Sequence, residues 1–82
     1  MNEPLPLPSH IHYELLLQLL EQQTFFAAYE DPHLKGEVNE LIITLRKALS
    51  QQRQIEENCV RLGRKIDYRW SLNGSPESSQ NQ

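Results

Sequence analysis

The sequence holds a single cysteine, Cys59, in 82 residues, so no disulfide can close within the chain and a reducing compartment is the expected setting. It lacks a long apolar run. Leu15-Leu16-Leu17 is broken at Gln18, against the ~20 residues a bilayer crossing requires. No order of basic, apolar and small residues opens the chain, so no secretory leader is expected and the reading is a cytoplasmic protein without a membrane partner. Phosphate loops, dinucleotide-binding glycine patterns and Gly-x-Ser-x-Gly elbows are missing, and the carboxylates are expected scattered over helix surfaces. An enzyme is therefore not expected, and no cofactor is implied. Residues 1–34 have no lysine or arginine, only Glu3, Glu14, Glu21, Glu30 and Asp31. All eight basic residues lie from Lys35 to Arg69, and the net charge is −3.

What the chain does have is helical patterning. Pro4, Pro6 and Pro8 alternate with Leu5 and Leu7, which blocks helix and predicts an extended arm over residues 1–8, read as a stiff leader lying over the fold rather than a docking motif. Ser9 is suited to capping the free amides of a helix start. A first helix is expected over residues 10–29, with Ile11, Leu15, Leu16, Leu19, Leu20, Phe26 and Ala27 on its main face. Leu17 and Phe25 fall off that face, a hint of a second contact. Asp31-Pro32 is a strong start signal, because proline lacks only an amide that a first helical turn leaves unpaired. The second helix is expected from Pro32 to Leu62 and closed by Gly63, with Gly36 leaving its first turn open to irregularity.

That second helix carries the most regular pattern. Leu34, Val38, Leu41, Leu45, Ala48, Gln52, Ile55, Cys59 and Leu62 alternate in steps of four and three, a heptad seam. Gln52 is its polar member, either fixing register and partner number or facing solvent beyond the end of the first helix. Past Gly63 the period becomes two. Ile66, Tyr68, Trp70 and Leu72 alternate with polar residues, a strand signature. Such a strand must pair with its copy in a dimer, join a partner's sheet, or lie extended on the helices. Residues 73–82 have no apolar member and read as a disordered tail.

The resulting fold class is all-α: an antiparallel two-helix hairpin with a longer second helix and a short extended C-terminal segment, spanning residues 9–72 as one domain. A second helix of ~31 residues at 1.5 Å each reaches roughly 46 Å, against about 30 Å for the first. The first then covers the second only to Ser50, leaving Ile55, Cys59, Val60 and Leu62 projecting. Either the Ile66–Leu72 segment folds back over them, or two hairpins pair through the seam in a symmetric dimer. The favoured function is a non-enzymatic adaptor that binds itself or another protein through Gln52, Ile55, Cys59, Leu62, Tyr68 and Trp70. The alternative is a nucleic-acid-binding regulator using Arg61, Arg64, Lys65 and Arg69, where cations interleave with aromatics. His10 and His12, two apart, do not share a helix face, so they default to capping or surface roles rather than a metal site. Cys59 at a seam position reads as a small hydrophobe.

The runs Pro4-Leu5-Pro6-Leu7-Pro8-Ser9-His10-Ile11-His12-Tyr13-Glu14-Leu15-Leu16, Leu41-Ile42-Ile43-Thr44-Leu45-Arg46-Lys47-Ala48 and Tyr68-Arg69-Trp70-Ser71-Leu72 resemble a family of short cyanobacterial proteins of unassigned function. The resemblance covers roughly residues 4–72 and implies a cyanobacterial cytoplasm. It carries over no catalytic or binding residue.

Overall fold

A computed structural model describes residues 3–72; the expected tail, 73–82, lies outside the described residues. Ser9 caps the first helix, its side chain accepting from the Ile11 amide. This helix, α1, covers residues 10–27 in three pieces: α-helical His10–Leu19, a π-helical turn Leu20–Thr24, and a last turn Phe25–Ala27. Helix α2 runs Pro32–Leu62 without a break, Gly36 included. Asp31 caps it by accepting from the His33 and Leu34 amides, and Gly63 ends it at φ 72°, a left-handed conformation that costs glycine little. The two helices pack against each other as a hairpin, joined by a short turn.

The strand expected after Gly63 is present as β2, Ile66–Arg69. Its partner within the chain is one that none of the three expectations named. The proline-rich arm forms strand β1, Leu5–Pro8, and the two pair in parallel, Leu5 opposite Ile66 and Pro8 opposite Arg69. The arm is thus half of a small sheet. The Leu5 amide donates to the Lys65 carbonyl at 2.9 Å and the Ser9 amide to the Arg69 carbonyl at 3.0 Å. Strand residues alternate in direction, so residues 5, 7 and 9 turn their amides toward β2. Pro4, Pro6 and Pro8 fall on the other parity, where a missing N–H takes no bond from the ladder. Prolines that exclude helix are for the same reason compatible with this one-sided strand.

Burial corrects the face assigned to α1. Its less exposed positions are Tyr13, Leu17, Leu20 and Thr24, with buried Ala28 just past its end, and those of α2 include Val38, Ile42, Leu45 and Leu49. Ile11, Leu15, Leu16, Leu19 and Phe26, expected on the buried face, are exposed. Leu17 and Phe25, off that face, are half-buried. The π turn bears on Phe26 alone, because widening one turn re-phases the residues after it and Ile11 to Leu19 precede it. Two surface contacts lie along this packing. Glu21 pairs with Arg46, and the Lys35 ammonium sits 4.1 Å from the centre of the Tyr29 ring. Both contacts close one flank of the hairpin and leave the other flank to apolar side chains. Among the described residues no helix is long and apolar enough to cross a membrane.

Candidate functional site

The sheet lies where α2 outruns α1, and there a polar knot ties the chain together. Gln52 is 3% exposed, the most buried polar residue of the described chain. Its side-chain amide donates to the Pro8 carbonyl at 2.8 Å and to Glu56 Oε2 at 3.0 Å, while its oxygen accepts from the Tyr13 hydroxyl at 2.7 Å. Both amide hydrogens and the carbonyl oxygen are therefore engaged. Gln52 neither faces solvent nor waits for a partner chain: it links the end of β1, the first turns of α1, and α2. Glu56 completes the knot. Its carboxylate can only accept, so His10, 2.6 Å away, must carry its proton on Nε2.

Burial pushes the Glu56 carboxyl up, but hydrogen bonds from Gln52 and His10, the charge of His10 and the facing Tyr68 hydroxyl outweigh that and hold it below its ordinary value. The Tyr68 phenol is raised by burial and by the Glu56 carboxylate beside it. His10 and Tyr68 also meet edge to face, ring centres 5.7 Å apart. His12 points elsewhere, its Nε2 2.9 Å from the Trp70 carbonyl and its ring edge-on to Trp70. The two histidines thus latch α1 to the C-terminal strand at separate points.

The residues expected to form a contact surface divide. Gln52 and Cys59 are buried under the fold itself, which corrects the picture of a bare overhang: the two-stranded sheet covers it. Ile55, Leu62, Tyr68 and Trp70 remain exposed, and so does Val60. The heptad seam explains the division. Val38, Leu45, Gln52 and Cys59, seven apart, face inward and are half-buried or buried. Leu34, Leu41, Ala48, Ile55 and Leu62, also seven apart, form a second row along the uncovered flank, with Leu34 47%, Leu41 49%, Ile55 42% and Leu62 81% exposed. At 100° per residue, Leu16 and Leu19 rotate from the inward line of α1 away from Glu21, and so toward this same flank. Leu15 and Ile11 continue the stripe around the outside of α1. Sequence periodicity found the seam. It could not tell which row the chain's own helix would cover.

The basic residues of the alternative reading make separate contacts. Arg61 bonds Asn58, Arg64 Nε donates to the Glu3 carbonyl at 3.0 Å, and Arg69 Nε pairs with Asp67 at 2.7 Å. Lys65 is exposed, and its carbonyl belongs to the sheet. Three of the four cations thus have contacts within the chain.

Residues 2–71 match the model of a family described as a family of unknown function (DUF5340). The chain is 56% identical over 71 residues to a protein of Anabaena cylindrica named "Uncharacterized 9.3 kDa protein in soluble hydrogenase 5'region", covering 87% of each chain. No solved structure matches.

Proposed function

We propose, for a chain that belongs to this family of unknown function, that it is a non-enzymatic interaction module whose apolar helical flank packs against a second helical hairpin, in the first instance another copy of itself. One observation carries the reading: the leucine-rich stripe of α1 and the every-seventh row of α2 are both left uncovered by the chain's own fold, and they adjoin. Helices with apolar side chains recurring at heptad spacing bury them against other helices, and two such hairpins make a four-helix assembly. A contiguous apolar surface of this kind on a small protein marks a contact site. The opposite flank, with Glu21, Arg46 and Lys35, gives the surface a polar border.

Light scattering at several protein concentrations and at low and high salt tests this. The expected result is twice the chain mass, persisting in high salt because the contact is apolar. Leu15→Asp and Leu41→Asp, at exposed positions, should each give monomers that keep their helical content. Association at wild-type strength in both variants would show that the surface is misplaced.

A further inference from the structure

The two-stranded sheet has two edges, and they are built differently. On the outer edge of β1 the prolines at 4, 6 and 8 leave no N–H to offer, so no strand can add there. β2 has no such block. Lys65 and Arg69 direct their carbonyls at β1, so by the two-residue period Ile66 and Tyr68 turn their amides and carbonyls away from it. Neither residue makes a backbone hydrogen bond on that side among the described residues. Trp70 lies next along this edge, with its carbonyl already taken by His12. One edge is closed to a further strand while the other is left with unpaired backbone groups, and a two-stranded sheet alone is marginal in water.

We propose that the β2 edge is a strand-addition site whose occupant is β2 of a second copy, paired antiparallel about Tyr68 to give a four-stranded sheet. The charge pattern selects this occupant and this register. With Tyr68 opposite Tyr68 of the second copy, Asp67 of each chain lies opposite Arg69 of the other, twice over, on the face of the sheet where Asp67 and Arg69 already pair within one chain. Ile66 then lies opposite Trp70, an apolar pair on the other face. Shifting the centre to Asp67 sets carboxylate against carboxylate and Lys65 against Arg69, which cross-strand pairs disfavour. In the Tyr68-centred register the amide and carbonyl of Tyr68 exchange two hydrogen bonds. The Trp70 amides can reach the Ile66 carbonyls for two more. This contact is made by backbone and charge, where the helical contact is made by apolar side chains.

The test uses the full chain. Tyr68→Pro removes an outward amide and no bond of the β1–β2 ladder, whereas Tyr68→Val removes the ring but keeps the amide. Sedimentation should show self-association weakened about tenfold or more by the proline and by less than about threefold by the valine. Asp67→Arg and Arg69→Asp each set like charges across the pair and should each weaken association, yet an equimolar mixture of the two variants should form mixed dimers. No contact within a single chain can produce that rescue. Equal association of Tyr68→Pro and wild type, or a mixture no tighter than the separate variants, would overturn the proposal. Leu41→Asp separates it from the helical contact. Loss of dimer in Leu41→Asp with none in Tyr68→Pro leaves the apolar flank and overturns the strand edge; the reverse outcome supports the edge and overturns the flank.

Discussion

Gln52 occupies a position where a heptad helix ordinarily places an apolar residue, and the fold makes use of its polarity. Removing its side chain leaves the Pro8 carbonyl, the Tyr13 hydroxyl and the Glu56 carboxylate without a shared partner at a site water barely reaches. Unsatisfied groups of this kind cost roughly 1–3 kcal/mol each, so Gln52→Ala should lose about 2–4 kcal/mol in urea unfolding. A loss no larger than that of an exposed glutamine such as Gln51→Ala would mean the knot contributes little. Glu56 adds a pH dependence of definite sign. Its carboxyl is held below the ordinary 4.5 in the folded chain. Its contribution is therefore fully present above that value and is lost as the pH falls through the lowered folded value. Wild type should lose stability more steeply than Glu56→Gln as the pH is lowered below 4.5. Parallel stability curves for the two proteins over that range would rule out a stabilising role for the ionised Glu56.

At the level of elements, what the sequence made legible was local. Ser9, Asp31-Pro32 and Gly63 act through their own backbone neighbours, and each bounds a helix where its chemistry indicates. The change of period after Gly63 likewise marked β2, because alternation is written in one short segment. What the sequence did not reveal depended on which surfaces meet. The Leu-Pro alternation of residues 4–8 is compatible with an extended arm and with a strand, and only the return of the chain from α2 supplies the pairing edge. Helix α1 is a sharper case. Its most apolar stripe was assigned inward on amphipathicity, yet the line that packs on α2 includes Tyr13 and Thr24 while Leu15 and Leu19 face out. A stripe specifies that something will cover it; it does not specify that the covering surface belongs to the same chain. The candidate contact residues divided on the same principle. Ile55 and Leu62 remained exposed, whereas Gln52 and Cys59 were taken up by the sheet that the arm completes.

The described residues measure 51 × 34 × 14 Å, one layer of helices with a strip of sheet at one end. In that shape there is little interior. Among the described residues only Ala28, Ile42 and Cys59 of the apolar set are buried, while fifteen large hydrophobic side chains are exposed. A single chain of this size has a small margin between burial and conformational entropy, and so exposed an apolar set narrows it further. Stability should therefore depend on association. If folding and pairing are coupled, a tenfold rise in protein concentration stabilises the dimer by about 1.4 kcal/mol. For an assembly of two such chains that raises Tm by roughly 3–6 °C. Thermal unfolding followed by circular dichroism over a hundredfold concentration range should show this shift in wild type at both low and high salt. Leu41→Asp should unfold at a lower temperature that no longer moves with concentration. A wild-type Tm constant across the range would mean that the thin hairpin is stable as a single chain, and that its uncovered leucines are kept for a partner it meets only after folding.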